Sequence, residues 1–395
     1  MPFVSVKDKK ECCGCSACAD TCPVNCIEMV EDGEFFFYPK VDESKCINCG
    51  RCLSVCPVKH FDKTKNIMND DDAYAFISND TDIIKSSSSG GAFSVIMDAF
   101  SGKSDSFAIA GAAFEGTDVA HMCVNTREEA EIFKKSKYVQ SYGKGIYKRV
   151  KDELENGKQV LFSGTPCMVA ALKNYLDKPY DGLTTVDIVC HGVPSQYVFS
   201  EYLKELEIKN KSTVTAASFK VKKNFDTDFP NPRTMDVYYE NGNKFNMDIA
   251  QSEYLYGFYH SLFLRPSCSH CKFSCPERQG DITLGDYWGI EKIFKELQSK
   301  KGVSLVRFNT DKGKEYLDFF EKSGNVYHTS YSFACDENYQ LRKPSQDHRN
   351  RGRFFKLLRK GYSVIDAVNI CKKPDTLLRK IIRKVQKLFR KCLSL

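Results

Sequence analysis

The chain has 395 residues and 42% hydrophobic content, which suggests two or three domains at about 150 residues each and enough apolar material for a core. Its 19 cysteines follow an N-terminus, Met1 to Lys7, with no apolar secretory core. No run of about 18 uncharged apolar residues occurs, so a secreted disulfide scaffold and a transmembrane helix are both disfavoured, and reduced thiols in the cytosol are expected. The net charge of +7 is uneven: from Leu341 onward there are 17 Lys+Arg against 3 Asp+Glu, while the preceding residues carry 41 against 48. An acidic body is followed by a basic end.

Two cysteine runs open the chain. They read Cys12-x2-Cys15-x2-Cys18-x3-Cys22-Pro23 and Cys46-x2-Cys49-x2-Cys52-x3-Cys56-Pro57. This is the spacing of the bacterial two-cluster ferredoxins, in which the fourth cysteine of each run ligates the other cluster. Cys12, Cys15, Cys18 and Cys56 are therefore expected on one 4Fe-4S cluster, and Cys46, Cys49, Cys52 and Cys22 on a second. Three thiolates on one tight loop reach three corners of a cubane, and Pro after the last cysteine disfavours helix at that point. Structural zinc uses four ligands in two pairs, which is a different pattern. Cys13 and Cys26 fall outside the register and read as small buried residues.

Asp32-Gly33 between apolar runs predicts a hairpin, with Phe35, Phe36, Phe37 and Tyr38 expected to shield the clusters. Residues 61–72 are polar and acidic and read as a linker. A strand is expected at 73–77. Then Ser86, Ser87, Ser88, Ser89, Gly90 and Gly91 open an apolar helical pattern. The loop reads either as a phosphate cradle at a helix N-terminus or as a small-residue cap on a core helix.

Strands are expected at 107–114 and 120–124, and a Thr-capped helix begins at Thr126. Helix 144–156, strand 159–162, the loop Ser163-Gly164-Thr165-Pro166-Cys167 and helix 168–176 form a β-loop-α unit. A further strand at 184–189 ends in Cys190. Strands alternating with helices favour an α/β sheet, and two cysteines then stand at strand carboxyl ends, where sites in such sheets gather. Residues 213–248 predict strands with a hairpin at Glu240-Asn241-Gly242. Cys268-x2-Cys271-x3-Cys275 reverses the cysteine order of radical S-adenosylmethionine enzymes and excludes that class. A strand over 281–289 carries Trp288, the single tryptophan.

The end of the chain is basic with interleaved aromatics over 349–360. Residues 375–391 form an amphipathic pattern with Leu377, Leu378, Ile381, Ile382, Val385, Leu388 and Phe389 on one face. This predicts either peripheral association with the inner face of an anionic membrane or docking on the acidic body. No nucleic-acid-binding module is visible, and no nucleic acid partner is expected.

Ser86–Gly91, Lys137-Tyr138-Val139-Gln140-Ser141, Gly164-Thr165-Pro166-Cys167, Cys190-His191-Gly192-Val193-Pro194, Cys268-x2-Cys271 and Asp281-Ile282-Thr283-Leu284-Gly285-Asp286-Tyr287-Trp288-Gly289, in this order, resemble the coenzyme F-420 hydrogenase/dehydrogenase beta-subunit family. The resemblance covers 73–360. It implies an α/β domain that binds FAD and passes hydride equivalents, with Ser86–Gly91, Lys137, Tyr138, Gln140, Ser141, Gly164 and Thr165 around the cofactor. It also implies a third 4Fe-4S cluster on Cys167, Cys190, Cys268 and Cys271, with Cys275 as an extra thiol able to displace one of them. The expected fold is α+β followed by α/β. A dicluster ferredoxin domain (1–60) and linker (61–72) precede a flavin-binding α/β domain (73–340) and a basic helical tail (341–395). The expected function is an iron–sulfur flavoprotein oxidoreductase that works with a redox partner protein or ferredoxin and a small-molecule hydride carrier. The alternatives are a ferredoxin-linked reductase in cell-surface polysaccharide biosynthesis and an electron-relay subunit of a larger complex. No hydrogenase metal site is recognisable in the sequence.

Overall fold

In the computed structural model of the chain, residues 3–61, 72–222, 233–297 and 302–373 are described. The centre of the expected linker and the amphipathic segment 375–391 lie outside the described residues.

The N-terminal module is built twice over. Strands β1 (Ile27–Glu31) and β2 (Phe37–Val41) pair antiparallel, Ile27 opposite Val41. The connection is wider than a two-residue turn. The Asp32 carboxylate accepts from the Glu34 and Phe36 N–H groups at 2.9 and 3.0 Å, and Phe35 takes a left-handed conformation with φ 64°. Each cysteine run contains a single helical turn, Ala17–Asp20 and Arg51–Ser54. Each turn is entered through a left-handed residue, Ser16 (φ 66°) and Gly50 (φ 73°). The matching geometry is the structural form of the sequence repeat.

The remaining strands are β3 (Asp72–Ser78), β4 (Phe107–Glu115), β5 (Asp118–Val124), β6 (Gln159–Gly164), β7 (Leu183–Ile188), β8 (Val214–Phe219), β9 (Thr234–Tyr239), β10 (Lys244–Asp248), β11 (Ile282–Asp286), β12 (Ser304–Phe308) and β13 (Gly324–Ser330). Eight of them form one sheet in the order β13-β3-β12-β11-β7-β6-β4-β5. Strands β11, β7, β6 and β4 run parallel in its centre, and the flanking pairs are antiparallel. The central strands bury Val160, Leu161, Phe162, Val186 and Ile282, as a sheet covered on both faces requires. Strands β8, β9 and β10 make a separate antiparallel sheet with the expected hairpin at 240–242. The fold is mixed α/β behind a ferredoxin-like module.

Two expectations change. The Thr-capped helix after Thr126 is a 3-10 turn over Glu129–Phe133, with Thr126 Oγ1 accepting from the Glu129 N–H at 3.2 Å. The basic end expected as a tail from 341 is, through 373, part of the packed body. Helices Arg351–Leu358 and Val364–Lys372 bury Phe354, Phe355, Ala367 and Val368 in the core that also holds Phe36. Arg351 reaches the ferredoxin hairpin and pairs with Glu34 at 2.7 Å. Apolar residues at helical spacing dock the helices, and the cations remain on the other faces. Among the described residues, no helix is long and apolar enough to cross a membrane.

Candidate cluster and cofactor site

The two ferredoxin sets assemble as the register requires. Cys46, Cys49, Cys52 and Cys22 line a cavity of about 310 Å³ with Phe3, Ile27 and Ile47. Cys12, Cys15, Cys18 and Cys56 line another of about 470 Å³. Each cavity takes three thiols from one run and the fourth from the other. Burial drives the Cys18 thiol far above its usual range, whereas Cys49 is exposed at the outer cavity.

The extra cysteines are buried or half-buried, as expected, but they are not idle. Cys26 lies 3.4 Å from the Cys22 sulfur. Cys13 hydrogen-bonds through its thiol to Cys15 on one side and Cys167 on the other. It therefore joins the ferredoxin module to the α/β sheet.

The carboxyl edge of the parallel strands carries the third set. Cys167 stands in the first turn of helix Pro166–Leu176, directly after β6, with Thr165 Oγ1 at 3.2 Å from its sulfur. Cys190 follows β7. Cys268 and Cys271 sit on and just after the 3-10 turn Pro266–His270. Cys268 is in electrostatic reach of Cys190, Cys271 and Cys167, and Cys271 of Cys167. Burial, with Cys167 and Cys271 adding, pushes the Cys190 thiol up to about 12. Thiols so crowded and buried are protonated unless a cation offsets them. Cys275 is turned away, its thiol donating to the Glu277 carbonyl at 3.6 Å.

Among the described residues, no three His, Cys, Asp or Glu side chains converge closely enough for a single metal ion. A lone tetrahedral ion needs its sulfurs about 2.3 Å from one centre. These sets are more open, as suits a cubane whose thiolates bind different corners. The donor sets, all thiol and all enclosed, fit iron–sulfur clusters.

A buried ion pair fixes the third set. Arg278 donates to the Asp187 carboxylate at 2.9 Å, and both side chains are buried. Arg278 also donates to the carbonyls of Ile188 at 3.0 Å and Phe273 at 3.2 Å. The Asp187 carboxylate accepts from the N–H groups of Gln279 and Gly280 and from Thr283 Oγ1. The loop bearing Cys268 and Cys271 is thereby tied to β7, whose end bears Cys190.

Arg265 closes the seam with the ferredoxin module. Its guanidinium is fully buried. It donates to the carbonyls of Cys12 and Phe37, both at 2.8 Å, and to Gln140 Oε1 at 3.2 Å. It lies over the Tyr38 ring at 4.4 Å. Gln140 Nε2 donates in turn to the Cys13 carbonyl at 3.0 Å. Gln140, expected at a cofactor, thus faces the ferredoxin module.

The Ser/Gly loop lies at the same sheet edge. Ser88 Oγ accepts from the Ser136 N–H at 2.9 Å, which joins the loop to the segment ending at Ser141. Ser89 Oγ donates to the Val303 carbonyl at 2.7 Å and Ser86 Oγ to the Ile83 carbonyl at 3.2 Å; Ser87 is buried. The glycines have reasons within the chain. A Cβ on Gly90 would sit 2.0 Å from the Phe76 carbonyl, and Gly91 has φ +94° with Ile83 against it.

Cations surround this loop. Lys222 Nζ donates to the carbonyls of Ile84 and Ser89, both at 2.6 Å. Burial, with Lys220 nearby, lowers Lys222 to about 7. Lys220 pairs with Asp286 at the end of β11. Lys137 is lowered to about 7 by burial, with Lys135 adding, and its ammonium donates to the carbonyls of Ile132, Lys134 and Lys135. Clustered lysines whose partners are mostly neutral carbonyls fit a multiply charged anion such as a pyrophosphate. Tyr138 stacks on Phe258 with ring centroids 4.2 Å apart.

Ser141 meets a histidine that sequence reasoning passed over. Ser141 Oγ lies 2.7 Å from His121 Nδ1, and His121 Nε2 lies 3.3 Å from the Ser163 carbonyl. The carbonyl can only accept, so Nε2 carries the proton and Ser141 donates to Nδ1. Gly164 leaves room for the imidazole, since a Cβ there would stand 3.3 Å from Nε2. Arg265, Lys220 and Lys222 were likewise not legible as site residues, because nothing local marks a single cation for burial.

Residues 157–332 match the family model that describes the C terminus of the coenzyme F420 hydrogenase/dehydrogenase beta subunit. Residues 11–60 match the model of the 4Fe-4S dicluster domain. A search of curated proteins finds no match. Among solved structures, a chain of the F420-reducing NiFe hydrogenase complex from Methanosarcina barkeri, studied as a xenon derivative, aligns at 16% identity and TM-score 0.43, covering 68% of this chain and 89% of that one. This chain belongs to the coenzyme F420 hydrogenase/dehydrogenase beta-subunit family and carries a 4Fe-4S dicluster domain at its N-terminus.

Proposed function

We propose that the chain is an FAD-dependent iron–sulfur oxidoreductase of the coenzyme F-420 type, with a dicluster ferredoxin domain at 1–60 and a flavin-binding domain built on the eight-stranded sheet. Two clusters are held by the ferredoxin sets and a third by Cys167, Cys190, Cys268 and Cys271. The observation that carries this reading is the contact of Cys13 with both Cys15 and Cys167. It brings ferredoxin ligands to the carboxyl edge of the sheet, where Ser88, Ser136 and Lys222 stand.

Bound flavin supplies the conversion between single electrons and a hydride pair, which clusters alone do not. The chain's own residues do the rest. Lys222, Lys137 and the Ser86–Ser89 hydroxyls hold the pyrophosphate, and burial strengthens that attraction by excluding water. The neutral His121 fixes Ser141 and Gly164. Exposed Cys49 marks the face at which a redox partner protein meets the outer cluster.

The test is flavin retention. Lys222→Met protein, purified without oxygen, is expected to lose most of its flavin while keeping its iron. Full flavin content in that variant rejects the assigned phosphate site. Reduction of a small hydride carrier by the lone chain separates an enzyme from an electron-relay subunit.

A further inference from the structure

We propose that Arg265 is a positioning residue that tunes the electron path: its buried charge holds the first ferredoxin cluster and the α/β-domain cluster at higher reduction potentials than the outer ferredoxin cluster. The inference rests on the ligand sets proposed above and assigns a role to a side chain that those sets do not include.

The guanidinium is fully buried, and its hydrogen-bond partners on oxygen are neutral: two carbonyls and the Gln140 amide. A buried cation without a counter-charge costs several kcal/mol. The groups that can supply negative charge here are thiolates. Arg265 Nη2 lies 3.7 Å from the Cys12 sulfur, and Cys13 and Cys268 are within its electrostatic reach. Its field also favours the thiolate of Cys167. One charge therefore faces ligands of two sets, Cys12 on the ferredoxin side and Cys167 and Cys268 on the other.

A thiolate-bound cubane carries net negative charge, and reduction adds more. A fixed positive charge stabilises the reduced form and raises the potential; net charge, hydrogen bonds to sulfur and burial are the protein's means of setting it. Arg265 is not among the charges that act on Cys22, Cys26 or Cys52 at the outer set. The outer set includes exposed Cys49. The field is confined to the inner pair, which would draw electrons inward from the exposed end. Gly14 serves the same arrangement: a Cβ there would sit 2.5 Å from Arg265 Nη1.

The test is an EPR-monitored redox titration of the full chain carrying its clusters, with Arg265→Lys, Arg265→Gln and Gln140→Glu beside the wild type. Signals are assigned by their loss in Cys18→Ser, Cys52→Ser and Cys268→Ser. Arg265→Gln is expected to lower both inner potentials by at least a tenfold change in the reduction equilibrium, about 59 mV for one electron. The outer potential stays, and Arg265→Lys keeps wild-type values. If Arg265→Gln fails to load clusters, Gln140→Glu sets a carboxylate against the guanidinium and is expected to lower the same two potentials. Unmoved inner potentials, or an equal shift in all three, overturn the proposal. If the wild type itself lacks the α/β-domain cluster, the third ligand set fails instead, and the shift of the first ferredoxin cluster alone then decides the role of Arg265.

Discussion

Arg278 and Asp187 form a buried ion pair at 2.9 Å that holds the Cys268–Cys271 loop against the end of β7. Asp187 also accepts from two loop N–H groups. Removing the carboxylate by Asp187→Ala leaves a buried cation and two orphaned donors. The expected cost is about 3–5 kcal/mol, read as a lowered denaturation midpoint, with iron lost from the third set first. An unchanged midpoint and iron content would show that the pair does not position the loop.

The third ligand set separates from its neighbours by substitution. Cys268→Ser is expected to remove one cubane, about four iron per chain, and to leave the ferredoxin signals intact. Cys275→Ser, whose sulfur donates to the Glu277 carbonyl, should retain wild-type iron. The opposite pattern would exchange the roles of the two cysteines.

Gly14→Ala strains the seam twice. The residue has φ +70°, and its new Cβ meets Arg265 at 2.5 Å. The left-handed conformation alone costs about 1–2 kcal/mol. Thermal unfolding should move down, and loading of the first ferredoxin cluster should fall. Wild-type values for both would exclude the close approach.

His121 gives the fold a defined pH dependence. Burial lowers its pKa to about 4, against about 6.5 in an unfolded chain. Between these values the unfolded state binds the extra proton, so this contribution is complete above pH 6.5 and is lost as pH falls toward 4. From pH 7 to 5.5 it removes about 1 kcal/mol. Denaturant midpoints of wild type and His121→Asn should therefore converge across that range. Parallel midpoints would mean that the imidazole is charged in the fold.

The ferredoxin module was legible because ligand spacing is local, and even the exchange of Cys22 and Cys56 between sets follows from it. The central sheet was legible from strands alternating with helices. The convergence of Cys167, Cys190, Cys268 and Cys271 was not, since it depends on β6 and β7 being neighbours and on Arg278 reaching Asp187. Gly90 and Gly91 suggested a close ligand, but Phe76 and Ile83 already occupy the space a Cβ would take. The charge count hid Phe354 and Phe355, which bind the supposed tail to the core. Arg265 gave no signal at all, because a cation's burial between two modules is a property of the assembled fold.

The most direct test is the cofactor content of the full chain, purified without oxygen. Three cubanes and one flavin predict about twelve iron and one FAD per chain. About eight iron with no flavin would leave the ferredoxin domain standing and contradict the cofactor site assigned to the α/β domain.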